Sequence, residues 1–175
     1  MSRPRLTGGH ARGRILAMAP PPGVRPTSAR VREALFSMIG QDLSDQRVLD
    51  AFGGSGLLAL EAWSRGAEVV VVERDRAALR ALRANVAALS GVVTLCRGDV
   101  LQLVCGLGLF DGALLDPPYA LDPQPILEAI APSVSGWLAL ELDAARRTPD
   151  APGLVLDRRR CYGGTDLCVY VRRGG

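Results

Sequence analysis

Acidic side chains follow the ends of predicted strands at four points of the chain, where they could bind polar ligands. They are Asp50, Glu73, Asp99 and Asp116. Ligands of an open α/β sheet bind outside the carboxyl ends of its strands, so the sheet topology would collect these residues along one edge. We therefore treat the four as one candidate site.

A glycine-rich turn follows the first of these acids, in the segment DAFGGSG at residues 50–56. Glycine permits a tight turn from strand to helix and lets the backbone approach a ligand closely. Residues 54–59, GSGLLA, also fit the dinucleotide fingerprint G-x-G-x-x-A. Asp50 argues against a dinucleotide, because at the mouth of the turn it would repel a pyrophosphate and suit an ammonium or sulfonium group. A tight turn without a ligand is the alternative.

Glu73 ends the next strand, where a carboxylate can accept hydrogen bonds from both ribose hydroxyls of an adenosine. A cationic adenosyl ligand fits Asp50 and Glu73 better than an anionic dinucleotide does, and S-adenosylmethionine is such a ligand. For Glu73 alone, a solvated strand end is an alternative. Asp99 could accept from an adenine amino group or cap a short helix at 100–104, and both roles can coexist.

The segment Asp116-Pro117-Pro118-Tyr119 combines a carboxylate, two prolines and an aromatic ring at a strand end. The prolines cannot continue a sheet ladder and their φ is fixed, so the loop is rigid and its carbonyl groups can accept. Asp116 and the Pro117 carbonyl could accept the two protons of an exocyclic amine on a nucleobase, leaving its lone pair to meet a sulfonium methyl. Tyr119 could stack on the base, which is worth about 1–3 kcal/mol in single-strand binders. The alternative is a Pro-Pro turn with an exposed tyrosine.

The elements that must position these residues alternate between strand and helix. The predicted strands cover residues 47–52, 68–73, 92–96, 110–116, 136–142, 154–160 and 167–172. The predicted helices cover residues 57–64, 76–89, 100–104 and 124–131. An earlier helix at 27–39 is predicted, with Thr27 or Ser28 as its candidate N-cap and Gly40 at its end. Repeated βα units followed by a terminal hairpin predict an α/β fold with an open, doubly wound sheet and a mixed edge.

The amino-terminal part of the chain has a different composition. Residues 3–18 are predicted to form a hairpin or two short strands, and the prolines at 20–22 a stiff linker. This divides the chain into a basic arm at 1–22 and a second domain at 23–175. Residues 1–32 contain seven arginines and no acid, whereas the remainder has 14 basic and 18 acidic residues. Such an arm indicates a polyanionic partner. His10, the only histidine, is interpreted as hairpin surface.

Composition excludes several classes of protein. With 175 residues, 48% of them hydrophobic, the chain can bury a sizeable core and is not disordered as a whole. Its apolar runs are far shorter than the roughly 20 residues of a membrane span, and its start lacks the apolar region of a secretory signal. The cysteines lack the spacing of a zinc site and are interpreted as reduced thiols packed in strands of a cytoplasmic protein. They are Cys96, Cys105, Cys161 and Cys168.

Together these motifs resemble a known family. Asp-Pro-Pro-Tyr is the motif of class I methyltransferases that act on exocyclic or amide nitrogens, and the turn at 50–56 resembles their cofactor-binding motif. GGHARGRIL at 8–16 and GVRPTSARVREALF at 23–36 are similar to the RsmD family, whose members methylate the N2 amine of one guanine in small-subunit ribosomal RNA. The resemblance covers roughly residues 5–173. It implies a Rossmann-like class I methyltransferase with a mostly parallel seven-stranded sheet, an antiparallel C-terminal hairpin and a small N-terminal β-hairpin extension.

The resemblance also implies roles for individual residues. The cofactor S-adenosylmethionine would contact Asp50, Phe52, Gly53, Gly54, Gly56, Glu73, Arg74 and Asp99. The catalytic residues at the target base would be Asp116, Pro117, Pro118 and Tyr119. Contacts with RNA, or further roles at the active site, would fall to Arg12, Arg14, Arg25, Thr27 and Arg30. The implied partner is small-subunit ribosomal RNA or the assembling small-subunit particle, bound by a monomer without metal or membrane attachment.

The expected reaction is a direct SN2 transfer of methyl from sulfonium to the guanine amine, without a covalent enzyme intermediate. Positioning would supply most of the catalysis, with Asp116 orienting the amine rather than acting as a strong base. Four alternatives stay open: a DNA adenine-N6 methyltransferase, a protein-glutamine methyltransferase, an RNA-binding factor with a non-catalytic cofactor site, and a nicotinamide dehydrogenase. The joint presence of Asp50, Glu73 and Asp116 argues against a non-catalytic site.

Overall fold

A computed structural model describes residues 3–18 and 27–172 of the chain. The helices are α1 (Ala29–Ile39), α2 (Leu57–Ser64), α3 (Arg76–Leu89), α4 (Val100–Leu103) and α5 (Pro123–Ile130), with 3₁₀ turns at Val104–Gly106 and Ala131–Ser133. The strands are β1 (Arg47–Asp50), β2 (Glu68–Glu73), β3 (Thr94–Arg97), β4 (Phe110–Leu115), β5 (Val134–Asp143), β6 (Val155–Tyr162) and β7 (Thr165–Val171). Among these residues, no helix has the length and apolar character needed to cross a membrane.

The seven strands form one sheet in the order β3-β2-β1-β4-β5-β7-β6. Strands β1 to β5 are parallel to one another, whereas β7 runs antiparallel between β5 and β6. The direction of winding reverses between β1 and β4, and open α/β sheets bind ligands at such a switch point. The predicted doubly wound sheet with an antiparallel C-terminal hairpin is confirmed.

Helices cover both faces of the sheet because its central strands are apolar on both sides. In β2, Val70 and Val72 belong to the apolar cluster that includes α4 and α5, whereas Val69 and Val71 belong to the one that includes α1, α2 and α3. Continuous valine runs of this kind are typical of parallel strands buried on both faces. Two apolar layers therefore fix the strand ends from which the candidate site is built.

Most elements begin or end at other residues than predicted, and local hydrogen bonds explain two of the observed boundaries. Helix α1 starts at Ala29 because the Ser28 hydroxyl caps it, accepting from the Val31 amide at 3.3 Å. Strand β1 stops at Asp50, whose carboxylate accepts from the Phe52 amide at 3.2 Å and turns the chain into the glycine-rich segment. Side chains near the site thus set both boundaries.

The amino-terminal segment, residues 3–18, forms a short antiparallel hairpin that is packed on the body. Its two arms meet at a bridge between Arg5 and Ile15, where the Leu6 amide donates to the Arg14 carbonyl and the Leu16 amide to the Pro4 carbonyl, both at 2.9 Å. Leu6 and Leu16 are buried with side chains of α2 and α3. The predicted linker at 20–23 lies outside the described residues.

A buried ion cluster fastens this segment to α1 and α2. Glu61, fully buried in α2, accepts from Arg32 Nε at 3.0 Å and from Arg65 Nη1 at 2.5 Å. It also accepts from the Thr7 amide at 2.9 Å. Arg32 in turn donates to the carbonyl oxygen of Thr27 at 2.5 Å. The cluster therefore holds Thr27, the residue at which the chain enters the candidate site, and the sequence patterns did not predict this cluster.

The environment of the cysteines and the histidine is partly as expected. All four cysteines are free thiols, and Cys168 in β7 and Cys96 in β3 are buried or half-buried. The prediction is wrong for Cys161, which is exposed because β6 is the edge of the sheet, and for Cys105, which is exposed in the 3₁₀ turn after α4. His10 is exposed, as predicted, with its ring edge-on to that of Trp63.

Candidate active site

A cavity of about 840 Å³ opens at the carboxyl edge of the sheet, around the ends of β1, β2 and β4. Apolar side chains such as Val72, Val100 and Ile126 form part of its wall. The wall also contains most of the residues that the sequence singled out: Asp50, Phe52, Gly53, Gly54, Glu73, Arg74, Asp99, Asp116 and Pro118. Thr27 lines it as well, whereas Gly56, Pro117 and Tyr119 only adjoin lining residues in the chain. One cavity therefore joins the glycine-rich turn to the proline loop.

Asp50 lies at the bottom of this cavity with 1% of its surface exposed. Burial raises the pKa of its carboxyl group to about 7, and the negative charges of Asp116 and Glu73 add to the effect, although the Phe52 amide partly opposes it. Loss of hydration disfavours the ionised form of the carboxyl group, and a nearby cation would favour that form again. The environment of Asp50 thus favours a positively charged group in the cavity.

Glu73 holds the glycine-rich turn against the end of β2. Its Oε2 accepts from the Gly54 amide at 2.7 Å, and its Oε1 accepts from the Asp75 amide at 2.7 Å. An ionised carboxylate has about four acceptor sites. Glu73 can therefore keep both backbone contacts and still accept hydrogen bonds from a ligand in the cavity.

Gly56 has a structural reason to be glycine. Its φ is +83°, and a Cβ atom there would overlap the Leu82 side chain of α3. Helix α2 begins at the next residue, so this turn brings the start of α2 close to α3. Gly56 thus has a packing role that shapes the turn carrying Gly53 and Gly54, and its contact with a cofactor stays a prediction.

Asp99 caps helix α4, as one of its two predicted roles requires. Its Oδ1 accepts from the Leu101 amide at 3.0 Å. Its Oδ2 lies 3.4 Å from Arg74 Nη1, so these two predicted cofactor residues form a surface ion pair. Because both also line the cavity, the cap leaves Asp99 available to a ligand.

Asp116 and Glu141 approach each other through a hydroxyl group. Thr27 Oγ1 lies 3.1 Å from Asp116 Oδ2 and 3.1 Å from Glu141 Oε2. Burial raises the pKa of Asp116 to about 6 and that of Glu141 to about 8, and the charge of Asp116 contributes to the shift at Glu141. Glu141 was not predicted, although it lies near the carboxyl end of β5, where the strand-end rule could have found it.

The side chain of Tyr119 extends from the proline loop to the C-terminal hairpin. Its hydroxyl is 2.8 Å from Thr165 Oγ1, and its carbonyl oxygen accepts from Arg146 Nη2 at 2.5 Å. The side chain is 42% exposed. These contacts hold Tyr119 beside the cavity with part of its surface exposed.

Of the predicted RNA-binding residues that the structure describes, Thr27 lines the cavity and the arginines do not. Arg14 donates to two carbonyl oxygens at the C-terminal end of α3, at 2.9 and 3.0 Å. The cavity contacts the opposite end of α3, and a helix of 14 residues is about 21 Å long. Arg12 and Arg30 are exposed, and Thr27 is buried. Arg25 lies outside the described residues.

Comparison with known proteins gives a consistent result. Residues 4–171 match the family described as Conserved hypothetical protein 95. The Ribosomal RNA small subunit methyltransferase D of Escherichia coli strain K12 is 37% identical over 180 residues, which cover 96% of this chain and 89% of that protein. The YlbH protein of Bacillus subtilis is 32% identical over 188 residues, 97% of this chain and all of that one.

A solved structure agrees with the sequence relatives. The yhhF protein of Escherichia coli, a methyltransferase by its description, shares 30% identity and a TM-score of 0.84 over 98% of both chains. The match therefore includes the glycine-rich turn, the proline loop and the C-terminal hairpin. The chain belongs to the RsmD family and has the Rossmann-like fold of class I methyltransferases.

Proposed function

We propose that this protein transfers a methyl group from S-adenosylmethionine to the exocyclic N2 amine of a guanine in small-subunit ribosomal RNA. The observation that carries the proposal is the cavity shared by Asp50, Glu73 and Asp116. The first two acids suit a cationic adenosyl group, and the third suits an amine. The printed name of the Escherichia coli relative supplies the class of RNA.

The residues of the cavity fit S-adenosylmethionine. A volume of about 840 Å³ is within the usual range for a small-molecule site. Glu73 would accept from the ribose hydroxyls, and Asp99 from the adenine amino group between apolar residues such as Val100 and Ile126. Asp50 would face the positively charged part, which favours its ionised form. When bound, this cofactor supplies a methyl group on a sulfonium sulfur.

Asp116 would hold the target nitrogen. It would accept one amine proton, and the Pro117 carbonyl the other, so that the nitrogen lone pair points into the cavity. Tyr119, which is 42% exposed beside the cavity, would stack on the base. Orientation of this kind can supply about 7–11 kcal/mol of a barrier. Asp116 therefore serves as an acceptor. The amine nitrogen would bond to the methyl carbon as the bond from that carbon to sulfur breaks, and it would then lose one proton to solvent.

A guanine in structured RNA must be turned out of its stack to enter such a site. Arginines of the amino-terminal part would hold the phosphates meanwhile. We assign this role to Arg12 and Arg30, which are exposed, and to Arg25, which lies outside the described residues. For Arg14, the contacts with α3 make a structural role the stronger one. Thr27 is buried and contacts Asp116, so it would position the carboxylate rather than bind RNA.

The variant Asp116→Ala tests the assignment of the amine-binding group. We expect it to bind S-adenosylmethionine in a calorimetric titration with an affinity close to that of the wild type, and to methylate RNA not at all. Asp157→Ala, which removes an exposed carboxylate on β6, is the matched control and should keep both properties. Normal methylation by Asp116→Ala would refute the proposed role of the loop.

A further inference from the structure

The Thr27 hydroxyl has more acceptors than it has protons. Its Oγ1 is 3.1 Å from Asp116 Oδ2 and 3.1 Å from Glu141 Oε2. A hydroxyl group donates one hydrogen bond, and an ionised carboxylate only accepts. If both contacts are hydrogen bonds, one of the two carboxyl groups must be protonated and donate a hydrogen bond to Thr27 Oγ1.

The proposed role of Asp116 indicates which carboxyl group carries that proton. Asp116 must be ionised to accept from the target amine, so in the competent site the proton lies on Glu141. Burial raises the pKa of both carboxyl groups, and the charge of Asp116 raises that of Glu141 further. Of the other titratable groups, Asp50 faces Asp116, and Tyr119 faces both carboxyl groups.

We propose that Glu141 is a positioning residue for methyl transfer: as a neutral acid it donates to Thr27, which donates to Asp116 and so holds that carboxylate ready to accept from the target amine. This inference rests on the proposed function. Arg32 supports the arrangement from the other side, because it donates to the Thr27 carbonyl oxygen and fixes the backbone that carries the hydroxyl.

The hydrogen bond from Glu141 to Thr27 is lost when Glu141 ionises. Thr27 then has two anionic acceptors for one proton, and Asp116 gains a like charge nearby. We therefore expect an alkaline fall in activity that belongs to Glu141 and not to Asp116. On the acid side, protonation of Asp116 removes the acceptor, so the dependence of the rate on pH has two limbs.

Single-turnover methylation of RNA, measured from pH 5.5 to 9.5, tests this role. Glu141→Ala removes the group that donates to Thr27 and should lower the rate about tenfold to a hundredfold, the range for a hydrogen bond to a charged group. Glu141→Gln keeps a donor toward Thr27 that does not titrate, so it should recover at least about tenfold over the alanine variant and lose the alkaline limb. Thr27→Ser should likewise recover activity that Thr27→Val loses. Glu128→Gln, an exposed change on α5, is the matched control.

Three results would overturn the inference: an alkaline limb that persists in Glu141→Gln, equal rates for the Gln and Ala variants, or a Glu141 carboxyl that ¹³C NMR finds ionised at pH 7. The first two results can be obtained only with an active wild type. A wild type that methylates no guanine in RNA at any pH would instead refute the proposed function, and the NMR titration would still decide whether the proton lies on Glu141.

Discussion

Replacing Glu61 with glutamine should destabilise the fold by several kcal/mol, although the change removes only one charge. The carboxylate accepts from Arg32, Arg65 and the Thr7 amide, and all of these groups are donors. A glutamine side chain would present an NH₂ group to at least one of them. It would also leave two arginines, 3% and 1% exposed, without a counter-charge.

The magnitude follows from the burial of the cluster. Removing one partner of a buried ion pair typically costs about 3–5 kcal/mol. For a protein of this size, each kcal/mol lowers the melting temperature by about 2–4 °C. The variant should therefore melt roughly 6–20 °C below the wild type.

Glu68→Gln provides the comparison for this prediction. Glu68 also pairs with an arginine, Arg47, at 3.2 Å, but its side chain is 68% exposed. Exposed pairs contribute only about 0–1 kcal/mol. Thermal and urea unfolding of both variants, followed by circular dichroism, should show a large loss for Glu61→Gln and a small one for Glu68→Gln. Equal losses would refute the view that the buried cluster fastens residues 3–18.

Three further results are expected. Gly56→Ala should lower both the melting temperature and the affinity for S-adenosylmethionine in calorimetry, because φ is +83° and a Cβ would meet Leu82; unchanged affinity would contradict the role given to the turn. The free energy of unfolding of the ligand-free protein should fall as pH rises from about 5 to about 8. The pKa values of Asp50 (about 7) and Asp116 (about 6) are raised, so the folded state binds protons more tightly than the unfolded state. A melting temperature that rises over this interval would contradict the raised pKa values of these buried acids. Arg30→Ala should weaken RNA binding and reduce its salt dependence by about one released ion; titrations at two salt concentrations check this.

Local patterns predicted much of the fold. Helix α3 and strand β2 match their predicted bounds, because Asp75 caps one and an uninterrupted valine run forms the other. The strand-end rule also placed Asp50 and Asp116 at the same edge of the sheet, and the structure brings them to one cavity. These features depend on residues close together in the sequence or on the general geometry of α/β sheets.

Contacts between distant residues could not be predicted in the same way. Thr27 was interpreted as a helix cap or an RNA contact, but its hydroxyl meets carboxylates 89 and 114 positions further along the chain. Glu141 lies in a largely apolar strand, so the pattern of this strand did not single out its carboxyl group as part of a site. Glu61 likewise meets partners 29 and 54 positions away. Such pairings follow from how α1 and residues 3–18 pack on the sheet.

The central claim is that this chain places a methyl group on the N2 amine of a guanine in small-subunit ribosomal RNA. The most direct test incubates the purified protein and labelled S-adenosylmethionine with under-methylated small-subunit particles, free ribosomal RNA or DNA, followed by nucleoside mass spectrometry. We expect label in N2-methylguanosine from the particle or the ribosomal RNA, and none in DNA. Label in N6-methyladenine, or no label in any nucleoside while the cofactor binds, would contradict the account.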